Sequence, residues 1–135
     1  MGTPLCLIVD KEAAIRGYLK TILERQQFRT LEAENAVEAF KIVQKLRGGV
    51  DLLLSEISMP GDMDGVDLAY SLKYSFPAIR VILTSAYANT EAHKRSSADV
   101  VFLEKPFRLD SLLAAIGSAL APGQKVRAAS AASAR

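Results

Sequence analysis

The sequence predicts a doubly wound α/β domain built on a parallel sheet of five strands. Short, uninterrupted apolar runs alternate along the chain with segments whose apolar residues recur every three or four positions. Glycine or proline residues separate many of these segments. The 135 residues, 50% of them hydrophobic, suffice for one continuous core but not for two domains. We expect one domain over residues 1–121 and a disordered Ala/Ser-rich tail over 122–135.

The first half of the chain supplies two strands and two helices. Pro4–Val9 is an apolar run typical of a strand that is covered on both faces. Lys11–Gln26 carries one apolar stripe at helical spacing, and Arg29–Ala33 is a short strand candidate. Asn35 is suited to cap a second helix, which Gly48-Gly49 ends.

The second half continues the alternation of strand and helix. Val50–Ser55 and Arg80–Ser85 are predicted strands, and Asp64–Tyr74 is the helix between them. Tyr87–Ser96 has almost no apolar stripe, so we expect a short, exposed and mobile fourth helix there. The last strand and the last helix are predicted at Ala98–Glu104 and Leu109–Leu120.

Buried strands that alternate with helices require right-handed crossovers, which place helices on both faces of the sheet. This is the flavodoxin-like arrangement, with strand order 2-1-3-4-5. Ligands in such folds bind beyond the carboxyl ends of the strands. Polar residues stand at four of those ends, so we expect them to converge on one crevice: Asp10, Glu56, Ser85 and Lys105.

Composition excludes several classes of protein. A net charge of +2 is too small to indicate a nucleic-acid or membrane partner. Cys6 is the only cysteine, so no intramolecular disulfide can form. The N-terminal apolar run stops at Asp10, too soon for a signal peptide or a membrane span, which predicts a cytoplasmic protein.

The sequence resembles the response-regulator receiver domains of two-component signalling, the CheY-like superfamily, over about residues 4–121. Each motif is short, but their order and spacing span the whole domain and agree with the predicted fold. The matching motifs are Leu7-Ile8-Val9-Asp10, Asp51-Leu52-Leu53-Leu54-Ser55-Glu56, Met59-Pro60-Gly61, Asp64-Gly65 and Lys105-Pro106-Phe107.

The resemblance implies a set of site residues. Receiver domains accept a phosphoryl group from a histidine kinase on an aspartate, with a divalent metal held by two acids after the first strand. Asp10 matches the first of these acids, Lys11 stands at the second, and Glu56 occupies the phosphoacceptor position. The remaining matches are Ser85 and Lys105 as phosphoryl-contact residues, Phe102 as the aromatic switch, Ser58 as a backbone-carbonyl metal ligand, and Pro106 as a cis-proline.

Two of these positions depart from the family pattern. The ammonium group of Lys11 cannot ligate a cation, and Glu56 is one methylene longer than the expected aspartate. The pocket then has two acids and two lysines, a net charge of zero, where the family has a net charge of −2. We therefore predict that Lys11 replaces the metal, and we expect no Mg²⁺ or other cofactor. Any metal that did bind would draw on Asp10, Glu12, Glu56 and Ser58.

The predicted function is that of a stand-alone receiver domain, not an enzyme, and specifically a pseudo-receiver that acts by protein–protein association. Its expected partners are a sensor histidine kinase, a phosphotransferase or a downstream protein, bound through the fourth helix, fifth strand and fifth helix. Association of two copies stays open. One alternative is a receiver phosphorylated on another acid; a second is a haloacid-dehalogenase-like phosphatase with Asp10 as nucleophile.

Three other polar residues look catalytic but have simpler interpretations. Asp51 begins a strand and Asp64 precedes a glycine at the start of a helix, so both are expected to cap or turn the backbone. His93 is the only histidine and lies among polar residues, which indicates a solvated surface position.

Overall fold

The computed structural model describes residues 2–86, 90–96 and 99–121, and for Thr90 it describes the backbone. The predicted tail, 122–135, lies outside the described residues. None of the helices in the described ranges has the length and apolar character needed to cross a membrane.

Strands and helices alternate without exception along the described chain. The strands are β1 (Leu5–Val9), β2 (Arg29–Ala33), β3 (Leu52–Glu56), β4 (Arg80–Ser85) and β5 (Val101–Glu104). The helices are α1 (Ala13–Arg25), α2 (Ala36–Lys45), α3 (Gly65–Ser75), α4 (Thr90–Arg95) and α5 (Leu109–Leu120).

The strands form one parallel sheet in the order β2-β1-β3-β4-β5, which confirms the predicted topology. All five residues of β1 and all five of β3 are buried, as the apolar runs predict. Because the strands are parallel, their carboxyl ends lie along a single edge of the sheet. That edge carries the candidate site.

The core has two parts, one on each face of the sheet. Leu7 of β1 points into a cluster with buried residues of α2 and α3, whereas its neighbour Ile8 points into a cluster with α1 and α5. This alternation follows from the two-residue period of a strand. The helices therefore cover both faces, as expected of a doubly wound fold.

Several predicted boundaries shift by one to three residues. The first strand begins at Leu5 rather than Pro4, and α1 begins at Ala13 rather than Lys11. The helix starts late because the N–H group of Lys11 donates to the Glu56 side chain, while the Glu12 carbonyl accepts the first helical bond, from Arg16.

The third strand begins two residues later than predicted and ends one residue later. Glu56 pairs with Thr84 of β4, so it is the last residue of β3 rather than the first residue beyond it. Ser85 likewise ends β4 and pairs with Glu104. At the other end, Asp51 precedes β3, and its carboxylate accepts the N–H group of Leu5 at 2.8 Å.

Two helix starts match their sequence signals. The Asn35 side chain accepts the N–H group of Glu38 at 2.8 Å, which caps α2 as predicted. Asp64 caps α3 and forms a reciprocal capping box with Asp67, which confirms its structural role. The fourth helix has six residues and mostly exposed side chains, as expected.

Candidate functional site

The candidate site is a charged pocket at the carboxyl edge of the sheet, formed by Asp10, Lys11, Glu56 and Lys105. Asp10 and Lys11 follow β1, Glu56 ends β3, and Lys105 follows β5. The two carboxylates are buried, with Asp10 1% and Glu56 4% exposed. The sheet thus brings together three of the four strand-end residues that the sequence predicts to converge, Asp10, Glu56 and Lys105, and Lys11 joins them.

The side chain of Lys11 is 47% exposed, but its ammonium group points into the pocket. Its ammonium nitrogen Nζ lies 3.0 Å from Oε1 of Glu56 and 3.1 Å from the carbonyl oxygen of Ser58. Its backbone N–H group donates to Oε2 of Glu56 at 2.7 Å. One residue therefore contacts both oxygens of the buried carboxylate.

Lys105 contacts both buried acids. Its Nζ lies 3.0 Å from Oδ2 of Asp10 and 3.3 Å from Oε1 of Glu56. The other oxygen of Asp10, Oδ1, accepts the N–H group of Glu12 at 2.9 Å. Glu12 itself is exposed and contributes its backbone to the pocket through this bond.

These contacts set the protonation of the pocket. Burial alone would raise the pKa of Glu56, but the hydrogen bonds from Lys11 and the charges of both lysines leave that pKa below its ordinary value. Burial would lower the pKa of Lys105, but Asp10 and Glu56 raise it above its ordinary value. Glu56 and Lys105 are both charged at neutral pH, and the formal charges of the two acids and two lysines sum to zero.

A divalent metal does not fit this arrangement. The ammonium of Lys11 lies within hydrogen-bond distance of Glu56 and of the Ser58 carbonyl, two of the groups that the family resemblance assigns to a metal. Two unit charges 4 Å apart interact by about 4 kcal/mol at an effective dielectric near 20, so a cation beside Lys11 would meet strong repulsion. Within the described ranges, no cluster of three or more His, Cys, Asp or Glu residues is placed to hold a metal.

The remaining predicted site residues lie at the end of β4, within β5 and directly after it. Ser85 is half-buried at the end of β4, and its carbonyl accepts the N–H group of Lys105 at 2.6 Å. The peptide bond between Lys105 and Pro106 is cis. Phe102 lies in β5, where its ring stacks against that of His93 with 3.7 Å between the ring centroids.

The loop from β3 to α3 is tightly packed against the site. Gly65 donates its N–H group to the Ile57 carbonyl at 2.8 Å. A Cβ atom at Gly65 would collide with the carbonyl oxygen of Glu56 and lie 2.9 Å from Cα of Ile57. The backbone of the pocket and the start of α3 are therefore in direct contact.

Sequence reasoning missed the contacts of three residues. Arg16 donates to the Asp10 carbonyl at 2.7 Å and pairs with Glu32 at 2.9 Å, which fixes the loop after β1. Arg95 pairs with the first turn of α3. His93 is exposed as predicted, but it also stacks on the switch-position aromatic. No local pattern signals these contacts, because each one joins different elements.

Comparison with known proteins places this chain in one family. The model of the response regulator receiver domain matches residues 6–117. The sensor kinase CckA of Brucella abortus is 35% identical over 113 residues, which are 82% of this chain but 12% of that protein. Sporulation initiation phosphotransferase F of Bacillus subtilis is 32% identical over 112 residues, 82% of this chain and 88% of that protein.

Solved structures agree on the fold. A response regulator receiver protein from Sinorhizobium medicae superposes with a TM-score of 0.83 at 21% identity, covering 90% of this chain and 98% of that one. The receiver domain of the hybrid histidine kinase CckA gives a TM-score of 0.66 at 30% identity, covering 80% and 91%.

The chain belongs to the response-regulator receiver domain family of two-component signalling. Receiver domains are typically non-catalytic signalling modules that interact with histidine kinases and phosphotransferases.

Proposed function

We propose that this receiver domain is a pseudo-receiver, which signals by protein–protein association without aspartyl phosphorylation. A single observation carries the proposal: the ammonium of Lys11 lies 3.0 Å from Glu56 and 3.1 Å from the Ser58 carbonyl. In this interpretation Lys11 takes the place of a divalent metal, and Glu56 takes the place of the phosphoacceptor aspartate.

Charge balance supports the replacement of the metal. A pocket with three carboxylates and one lysine has a net charge of −2, which a divalent ion neutralises. Here Lys11 and Lys105 neutralise Asp10 and Glu56 without an ion. A divalent ion in this pocket would add two uncompensated positive charges to a neutral cluster, so electrostatics disfavours its entry.

The position of Glu56 supports a fixed conformation. Its extra methylene carries the carboxylate to within 3.3 Å of Lys105 and 3.0 Å of Lys11, so one buried anion joins the loops after β1 and β5. We propose that this anion stands roughly where a phosphoryl group would lie and holds the domain in an active-like state.

The proposed mode of action is association in the cytoplasm as a stand-alone domain. We propose that the partner is a sensor histidine kinase, a phosphotransferase or a downstream protein, and that it docks on the α4–β5–α5 face; a second copy of the chain is another candidate partner. Sporulation initiation phosphotransferase F, of which the chain covers 88%, is a precedent for this mode of action, whereas the chain covers 12% of the sensor kinase CckA.

The phosphatase alternative gains little support. An Asp10 nucleophile would have to reach a substrate, but its side chain is 1% exposed. Both of its oxygens are also engaged, one by Lys105 and one by the N–H group of Glu12. The carboxylate is held as a structural anion rather than presented for in-line attack.

Incubation with acetyl phosphate and Mg²⁺, followed by intact-mass analysis, tests the proposal. The natural chain is expected to gain no phosphoryl mass. A Lys11→Asp, Glu56→Asp double variant restores the acids that the family pattern calls for and is expected to gain one phosphoryl group. The matched control is a Lys41→Asp, Glu34→Asp double variant, which makes the same change of charge at exposed positions.

Each result discriminates between specific interpretations. A phosphoryl mass on the natural chain would show that another acid accepts phosphate and would overturn the pseudo-receiver. A folded double variant that stays unmodified would show that Lys11 and Glu56 are not the cause of the loss. Phosphorylation of the control variant would show that surface charge, rather than the pocket, limits the reaction.

A further inference from the structure

The fourth helix has little packing of its own. It spans six residues, Thr90–Arg95, and among its described side chains Ala92 alone is buried. Such a short helix is not stable in isolation, so contacts with neighbouring elements must hold it in place. Ala92 packs in the core, and at the surface the ring of His93 stacks on Phe102 and Arg95 makes a set of bonds.

Arg95 binds the first turn of α3 with both terminal nitrogens of its guanidinium group. Nη1 lies 3.0 Å from Oδ2 of Asp64, and Nη2 lies 3.3 Å from Oδ1 of the same residue. Nη2 also lies 2.9 Å from Oδ1 of Asp67. A bidentate arginine–carboxylate pair fixes orientation as well as distance, which a single point charge does not.

Asp64 is engaged on two sides at once. Its Oδ1 accepts the N–H group of Asp67, which caps α3, while both of its oxygens accept bonds from Arg95. Burial would raise the pKa of Asp64, but the bonds from Arg95 and Asp67 leave it below its ordinary value, so Asp64 is ionised at neutral pH.

The next residue, Gly65, connects this contact to the charged pocket. Its Cα packs so closely against the carbonyl of Glu56 that a Cβ atom has no room there. A displacement of the Glu56 backbone must therefore move Gly65, and with it the Asp64 carboxylate to which Arg95 is bound. Direct contacts therefore connect the pocket to α4 in the order Glu56, Gly65, Asp64 and Arg95.

We propose that Arg95 is a positioning residue that transmits the state of the charged pocket to α4. This deepens the proposed function, because α4 forms part of the proposed docking face. The guanidinium group binds the end of α4 to the start of α3, so a shift of the Glu56 backbone changes the position of α4. Without Arg95, α4 keeps its ring stack but no longer responds to the pocket.

Amide hydrogen exchange measured by NMR on the full chain tests this coupling. Glu56→Gln removes the charge of the pocket while keeping the length of the side chain. In the natural background it is expected to speed exchange of the α4 amides about threefold, an effect in the range of an exposed ion-pair network. In an Arg95→Gln background the same substitution is expected to change those rates by less than about 1.5-fold.

Matched variants separate coupling from loss of surface charge. Lys94→Gln removes a neighbouring positive charge from the same exposed helix and is expected to leave the response to Glu56→Gln intact. Arg95→Lys keeps the charge but not the bidentate geometry, so it is expected to restore only part of the response. Exchange of the Leu112 amide in α5 serves as a reference that the coupling does not reach.

Equal responses of α4 to Glu56→Gln in the natural and Arg95→Gln backgrounds would overturn the proposal. No response of α4 in the natural background would overturn it as well. Should Glu56→Gln fail to fold, Lys11→Gln removes the ion pair to Glu56 from the exposed side of the pocket. The proposal then requires that Lys11→Gln speed exchange in α4 in the natural background and not in the Arg95→Gln background, and equal responses in the two backgrounds refute it. No phosphoryl donor is used, so this result is independent of the acetyl phosphate experiment.

Discussion

The charged pocket and the α4 clasp, by which we mean the ion pairs of Arg95 with Asp64 and Asp67, are both networks of ion pairs, but they are built in opposite ways. In the pocket, Asp10 and Glu56 are 1% and 4% exposed, and their positions are set by the ends of neighbouring strands. In the clasp, the side chains of Arg95, Asp64 and Asp67 are 38%, 29% and 46% exposed, and one of the partners is a six-residue helix.

This difference determines what each network contributes. Buried charges must be paired, since an unpaired carboxylate there costs several kcal/mol, so Asp10 and Glu56 must keep their lysine partners even though Lys11 is 47% exposed. Exposed pairs contribute about 0.2–1 kcal/mol each and can exchange with water. The pocket is therefore the stronger network, and in our proposal the clasp is the weaker contact through which the state of the pocket reaches the surface.

The largest effect is expected at Gly65, where the two networks meet. Gly65→Ala places a methyl group against the Glu56 carbonyl and Cα of Ile57, both backbone atoms that cannot rotate away. Overpacking of this kind costs about 1–3 kcal/mol, and we expect the upper part of that range. Urea unfolding measures the loss.

Gly17→Ala is the matched control, because a Cβ atom at that position in α1 meets nothing within 4 Å. It is expected to stabilise the chain by about 0.5–1 kcal/mol, the difference in helix propensity between the two residues. Equal effects of both substitutions would mean that the pocket and the start of α3 are not rigidly joined.

The pH dependence of unfolding sharpens the comparison further. The folded-state pKa of Glu56 is lowered, so its stabilising contribution is complete above its ordinary value of 4.5 and is lost as the pH falls through the folded value. The folded-state pKa of Lys105 is raised, so its contribution is complete below 10.5 and is lost as the pH rises through the folded value. The urea midpoint is expected to be flat between these limits and to fall on both sides.

Salt distinguishes the two networks on the acid side. Asp64, whose pKa is also lowered, contributes to the same acid limb through an exposed contact. About 1 M NaCl is expected to diminish the Asp64 share and to leave the share of buried Glu56. In high salt, Glu56→Gln should then remove most of the fall in the urea midpoint at acid pH. If the unmutated chain shows no loss of stability at acid pH in high salt, the acid-dependent stability does not originate in the pocket.

The sequence was sufficient to predict the fold, because the information is local and periodic. The apolar runs of β1 and β3 and the cap residues Asn35 and Asp64 act over a few residues, and the structure matches them closely. Strand ends were predicted less well. Glu56 is inside β3 because its pairing with Thr84 depends on a neighbouring strand that no local pattern describes.

The sequence also predicted which charged residues meet, since parallel strands end at a common edge. It did not predict which atoms touch. Lys11 could have pointed outward, and only the contacts to Glu56 and the Ser58 carbonyl show that it points inward. The Arg95 clasp was out of reach for a different reason: Arg95 and Asp64 are separated by 31 positions in sequence and lie on different helices.

The smallest expected effect concerns the second attachment of α4, the stack of His93 on Phe102. The rings are nearly parallel, with 17° between their planes, and His93 is exposed, so we expect His93→Ala to cost only about 0.5 kcal/mol. The sensitive measurement is the NMR shift of the Phe102 ring protons, which should move downfield as the ring current of His93 is lost. Lys94→Ala on the same helix should leave those shifts unchanged. If both variants shift them equally, the whole helix has moved, and the stack is a consequence of the position of α4 rather than one of its causes.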